Sequence, residues 1–221
     1  MEVEVMKTSG RTEGHQSFYF FLALILVLSF VSCAASKTYW LRLRPEITPQ
    51  KGTAGKLTIG VLPFQDNRPA SQRLGQRLLS NGKEEPIRLQ SSAPAQDITS
   101  ILLKLLKARG IRAVELTGWE PVPENLKNLP EEVDVAMAGY LEALEVEAKS
   151  STFKTEIRYL VKLAAKLGFK EQGKVITRTV EARPEESVIS FNRQEVENTL
   201  NETLSSALER LIVAAISKQR G

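Results

Sequence analysis

The chain carries its hydrophobic residues in distinct rhythms. Residues 18–31, FYFFLALILVLSFV, are an unbroken apolar run that stops at Ser32 and Cys33. Residues 56–64 read as a first strand with both faces covered, Leu57, Ile59 and Val61 on one and Leu62 and Phe64 on the other, and residues 111–116, 133–148, 153–169 and 174–182 read as further strands. Residues 97–109 and 192–217 repeat at the helical spacing. In the first of these helices Ile98, Ile101, Leu102, Leu105 and Ala108 share a stripe. In the second, Val196, Leu200, Thr203, Leu204, Ala207, Leu208, Leu211 and Ala215 do. Asp97 and Asn192 stand where N-caps belong, Glu195 completes a capping-box-like pair with Asn192, and Gly110 stops the first helix.

Two details of the rhythm bear on architecture. In residues 133–148 the apolar phase slips: Val133, Val135, Met137, Gly139 and Leu141 hold one phase, Leu144, Val146 and Ala148 the other, which predicts a bulge near Ala143. Ser150-Ser151 and Gln172-Gly173 are turns that join three long strands into an antiparallel meander. Two amphipathic helices each need an apolar surface, and one sheet offers it. The expected fold is α/β (α+β): a two-layer sandwich of one mixed, mostly antiparallel sheet with two long helices on one face. Residues 65–95 read as a long polar loop with a turn at Asn81-Gly82 and a short strand at 86–89. Residues 34–55 read as a tether with an extended piece at 39–43, in which Trp40 sits at the membrane interface or, the favoured reading, covers the domain core. Gly60 marks a close approach by another element.

The apolar run is 14 residues long. That fits the ~7–15 of a signal-peptide core and falls short of the ~20 of a spanning helix. Together with the small residue and the cysteine that follow, it reads as a lipoprotein signal peptide over residues 1–32, with Cys33 as the lipidated first residue of the mature chain, a tether over 33–55 and a single domain over 56–221.

Composition narrows the chemistry. The 42% hydrophobic and 25% charged content is that of a globular protein. The net charge of +4 is spread along the chain without a run of five like charges, so a nucleic-acid partner is not expected. The only histidine, His15, lies in the segment expected to be removed, and the only cysteine is the expected lipid carrier. A mature chain with no histidine, its one sulfhydryl alkylated, excludes His-containing triads, cysteine nucleophiles and zinc sites of the usual His/Cys type. No enzyme activity, cofactor or metal is expected.

Asp66, Asn67 and Arg68 are the sharpest polar cluster, placed where a strand hands over to a loop. They read either as a contact site for a partner or as a closed turn in which Asp66 pairs with Arg68. Glu145 and Glu147 share a strand face opposite Leu144 and Val146, and they alternate with Lys154, Arg158, Lys162 and Lys166 of the next strand. Cross-strand charge pairing accounts for this pattern better than a catalytic pair of carboxylates in a glycan-acting enzyme.

Phe30-Val31-Ser32-Cys33 resembles the bacterial lipobox, and Ala34 after the cysteine implies, by resemblance to lipoprotein sorting in enteric bacteria, the periplasmic face of the outer membrane. With that motif, the stretches IGVLPFQDNRP (59–69), ILLKLLKARGIRAV (101–114), VDVAMAGYLEALEV (133–146) and ISFNRQEVENTLNETLSSALERL (189–211) resemble the YajG-type envelope lipoproteins. The resemblance implies a membrane-anchored, non-catalytic module that serves envelope maintenance or binds an envelope protein partner. TYWLRLRPE (38–46) also resembles the accessory lipoproteins of ABC-type lipid-trafficking systems, which is the alternative function.

Overall fold

The computed structural model describes residues 37–49, 57–69 and 74–219. Residues 1–32 and Cys33 lie outside the described residues, as do 50–55 of the expected tether. The described chain forms one ten-stranded mixed sheet with two helices. In order these are β1 (Tyr39–Leu41), β2 (Thr58–Val61), β3 (Gln65–Asp66), β4 (Gly75–Leu78), β5 (Glu84–Leu89), α1 (Pro94–Ala108), β6 (Arg112–Glu115), β7 (Val135–Ser150), β8 (Thr155–Phe169), β9 (Lys174–Ala182), β10 (Glu185–Val188) and α2 (Arg193–Gln219).

β7 is the spine. One of its edges pairs in parallel with β2 at Val135–Met137, with β3 at Tyr140 and Leu141, and with β4 at Val146–Lys149. The other edge pairs antiparallel with β8 along its whole length, and β8 pairs with β9 and β10. The expected slip is present as a register shift between Leu141 and Ala143. One extra residue, Glu142, moves the inward positions from odd to even numbers, so Leu141, Leu144, Val146 and Ala148 all remain buried on the helix face.

Both helices lie on that face, and their apolar stripes join one core with Ile59, Val61, Met137, Leu163 and Phe169. α1 starts at Pro94, earlier than Asp97, with Ala93 at the cap position and no side-chain cap. Proline supplies the helical φ and needs no hydrogen-bond acceptor in the first turn. α2 is capped as expected at Asn192, whose Oδ1 accepts from the Gln194 N–H at 2.9 Å.

Several local expectations change. Residues 74–89 form a β-hairpin, β4–β5, around the expected turn at Asn81-Gly82. The short strand expected at 86–89 is part of β5, whereas β4 is four residues long and mostly polar and gave no signal. β10 was also unforeseen. The tether assigned to 33–55 already belongs to the sheet at Tyr39: β1 pairs with β5, and Leu41 is fully buried. The segment after β1 is clasped by α2. Asn201 accepts from the Arg44 N–H at 2.6 Å and donates to the Arg42 carbonyl at 2.9 Å. Trp40 does not cover the core. Strand alternation turns Tyr39 and Leu41 inward and leaves Trp40 47% exposed on the other face.

The opposite face of the sheet is covered at one end by residues 117–134, which contain a short 3₁₀ turn at Pro123–Asn128. Trp119, Leu126 and Leu129 pack there with Leu116, Val133, Ala136 and Ala138. This cover can approach because Gly168 has no side chain: a Cβ there would lie 2.6 Å from Leu126 and 2.7 Å from Trp119. The expectation for Gly60 holds for the same reason, with Leu116 at 2.5 Å.

Gly75 offers the sharpest test of the β4–β7 ladder. A Cβ at this position would stand 1.9 Å from the Val146 carbonyl oxygen, a backbone atom that cannot move without opening the ladder. Gly75→Ala is expected to lower unfolding free energy by about 3 kcal/mol in urea titrations. Gly82→Ala, which meets open space at φ +79°, should cost about 1 kcal/mol.

Candidate functional site

β3 brings the Asp66-Asn67-Arg68 cluster against the middle of β7, where the Asn67 N–H donates to the Leu141 carbonyl at 2.9 Å. Arg68 folds back on Asp66. Its Nε and Nη2 donate to the two carboxylate oxygens at 2.9 and 2.8 Å, and its backbone N–H donates to Oδ1 at 3.2 Å. The Arg68 side chain is 4% exposed and that of Asp66 20%. A fork-to-carboxylate pair of this kind is directional and strong. The Arg68 hydrogen bond holds the Asp66 carboxyl below its usual range, against the opposing effect of burial. The turn is therefore closed by its own charges; Arg68 is buried, while Asp66 and Asn67 are both exposed residues.

A second polar cluster gave no signal in sequence, because its members are far apart in the chain. Arg77 on β4 donates from Nη1 to Glu85 Oε2 at 3.2 Å and to the Tyr39 hydroxyl at 3.0 Å, and from Nε to Ser150 Oγ at 2.8 Å. The Tyr39 hydroxyl donates to the same Glu85 oxygen at 3.0 Å, and Ser150 meets the Thr155 hydroxyl at 2.9 Å. Phe191, just ahead of α2, lies over the Arg77 guanidinium at 4.8 Å and against the Tyr39 ring at 4.7 Å. Cross-strand register puts these residues in neighbouring rows on the helix face, so the network closes the core at one end of the sheet. Nearby, Tyr159 donates to Glu186; burial foremost, with the Glu186 carboxylate beside it, raises the phenol well above its ordinary value and keeps it a donor.

The charged strip on the open face is paired, though not in the expected order. Lys162 meets Glu142 at 2.8 Å, Arg158 meets Glu185 at 3.4 Å and Lys154 meets Glu156 at 2.6 Å. Glu147 stands across from Arg158, whereas Glu145 stands across from Leu160. The Lys162 ammonium is held above its usual range and the Glu156 carboxyl below its own by these partners. A groove of about 260 Å³ lies on this face between Gln76, Leu78, Glu147, Lys149, Glu156 and Arg158. It is smaller than the ~300–1,000 Å³ of ordinary ligand pockets. Among the described residues, no group of three or more His, Cys, Asp or Glu side chains is arranged to hold a metal ion, and no helix is long and apolar enough to cross a membrane.

No protein-family model matches the chain, and none of the curated proteins does. Solved structures do. Protein XCC0632 from Xanthomonas campestris, of family DUF330, shares 12% identity over 84% of this chain and 97% of its own, with a TM-score of 0.54. Hypothetical protein CT253 from Chlamydia trachomatis shares 9% over 72% and 95%, with a TM-score of 0.44. Lipoprotein GNA1162 from Neisseria meningitidis shares 12% over 71% and 98%, with a TM-score of 0.36. The first similarity establishes a common fold, and the two lower scores carry no further weight.

Two measurements test the polar clusters. The depressed Asp66 carboxyl contributes stability that is present above about pH 4 and lost as pH falls through its lower folded-state value. Asp66→Asn should remove that part of the acid dependence and cost about 2 kcal/mol at neutral pH. An unchanged acid-unfolding profile would show that the pair is idle. Arg77→Met leaves Glu85 buried without its cation and is expected to cost about 3 kcal/mol, and adding Glu85→Gln should restore part of the loss in a double-mutant cycle.

Proposed function

We propose that this protein is a non-catalytic bacterial envelope lipoprotein of the YajG type, held by lipid on Cys33 at the periplasmic face of the outer membrane. Its domain serves to bind another envelope protein. The observation that carries the reading is the order of the chain: an apolar run ends in Phe30-Val31-Ser32-Cys33, and six positions later the first strand of the domain begins at Tyr39. A lipid on Cys33 therefore holds a compact domain at a surface, which raises its effective concentration for neighbours there. Its charged groups also favour recognition over chemistry. Asp66 is closed by Arg68, Glu142 by Lys162 and Glu156 by Lys154. In the proposed contact site, Asp66 and Arg68 hold the turn while the exposed Asn67 meets the partner.

Cys33→Ala should move the protein from the membrane to the soluble periplasmic fraction and abolish the acyl mass increment on the mature chain. Crosslinking in intact envelopes should trap a partner with the wild-type protein, and Asn67→Ala should lower that yield several-fold. A solitary monomer in intact envelopes speaks against the partner.

A second reading, an accessory lipoprotein of an ABC-type lipid-trafficking system, draws support from residues 38–46. The stretch that carries this resemblance is part of the domain, with Tyr39 and Leu41 buried and the following backbone clasped by Asn201. Normal outer-membrane lipid asymmetry in a deletion strain would sink it.

A further inference from the structure

We infer that one end of the sheet is a bilayer-contacting surface, with Phe153 and Ile189 inserted at the level of the phospholipid headgroups. This rests on the lipid anchor proposed at Cys33. Phe153 is 85% exposed and Ile189 90% exposed, the two most exposed large apolar side chains among the described residues. Single exposed hydrophobics are ordinary on a protein surface. Here register puts two at one end. Phe153 sits in the turn between β7 and β8, two residues before Thr155, and Ile189 directly follows Val188, the residue of β10 that pairs with Thr155. Neither has a place inside, because the core beneath this end is already closed by Arg77, Glu85, Ser150, Thr155 and Phe191.

The same register says where the chain comes in. β1 runs parallel to β5 with Tyr39 opposite Ile87, so Lys37 lies level with Glu85. β5 pairs with β4 at Glu84 and Leu78, β4 with β7 at Leu78 and Lys149, and β7 with β8 at Ser150 and Thr155. The domain thus begins at the end of the sheet that carries Phe153 and Ile189. Lys37 stands four positions after Cys33, a reach of at most about 14 Å. An acylated Cys33 in the bilayer surface therefore keeps this end of the domain near it, and apolar tips favour the headgroup–acyl boundary, typically ~5–10 Å deep. Charge agrees in sign. The tip of this end presents Lys37, Lys83, Lys149 and Lys154 with Glu84 and Glu156, with Arg158, Glu147, Glu185 and Glu186 in the rows behind, whereas residues 117–134 at the far end carry Glu120, Glu124, Glu131, Glu132 and Asp134 against Lys127 alone. Anionic headgroups favour the first arrangement.

The test uses the full lipidated chain in phosphatidylethanolamine–phosphatidylglycerol vesicles. Because Cys33, the only cysteine, is blocked by its lipid thioether, Phe153→Cys, Ile189→Cys and, at the far end, Lys127→Cys each supply a single labelling site. With an environment-sensitive fluorophore, the labels at 153 and 189 should shift to the blue and be quenched several-fold more by lipids spin-labelled near the headgroup than the label at 127. Equal, water-like emission at all three sites, with acylated and membrane-bound protein, overturns the inference and leaves the anchor intact. A blue shift at 153 and 189 on vesicles that the headgroup spin labels do not quench overturns it in favour of a second copy or a protein partner. Absence of acylation on Cys33 removes the anchor itself, and the inference with it.

Discussion

The structure hangs on the two edges of β7. On one side a single long antiparallel ladder ties it to β8; on the other, three short parallel strands dock in succession, each contributed by a different part of the first half of the chain. Short strands have little stability alone, and non-local parallel pairing is entropically costly to form. They persist because β7 presents a continuous row of backbone donors and acceptors already held straight by β8. The bulge at Glu142 is what lets one strand do this over its whole length. By absorbing one residue it keeps every inward side chain on the helix face while the strand passes from the β2 region to the β4 region.

Around that spine, apolar and polar groups are divided by position along the strands. The middle of the helix face is a dry core shared by α1, α2 and the sheet. One end is closed by an aromatic and charged network, Tyr39–Arg77–Glu85 with Ser150 and Thr155, in which polar atoms satisfy one another instead of facing water. The other end is covered on the opposite face by Trp119 and its neighbours, which reach the sheet through the gap left by Gly168. The domain is therefore asymmetric end to end, and the end with the polar closure is the one nearest the segment that leads from Cys33.

The charged residues that drew attention in the sequence illustrate how a candidate site is narrowed. Asp66 and Arg68 are close enough in the chain for their pairing to be foreseen, and they do pair, with Asn67 outside the ion pair. The strip of glutamates on β7 was foreseen as a solvated face, but its partners were not: Arg158 turns to Glu185 on β10, a strand the rhythm did not reveal. An electrostatic partner depends on rotamers and on which strand lies alongside, and a period of two says nothing about either.

Local order was legible wherever neighbours in the chain carry the signal. The helix stripes, the strand alternation from residue 133 to 182, the bulge, the turns at Gly82 and Gly173 and the cap at Asn192 all follow from spacings of a few residues, where backbone geometry dictates which side chains share a face. The apolar run ending at Cys33 is of the same kind and defines the segment ahead of the domain without help from the fold. Tertiary structure decided the rest. It recruited Tyr39–Leu41 from an expected tether into the sheet, made strands of the polar residues around Asn81-Gly82, assembled Arg77, Glu85, Tyr39 and Ser150 from distant positions, and brought the turn that carries Phe153 and the end of β10 before Ile189 to the same end of the sheet. These outcomes depend on which strand edge is free to pair and which rows come into register, and those are properties of the assembled sheet and not of any one stretch of the chain.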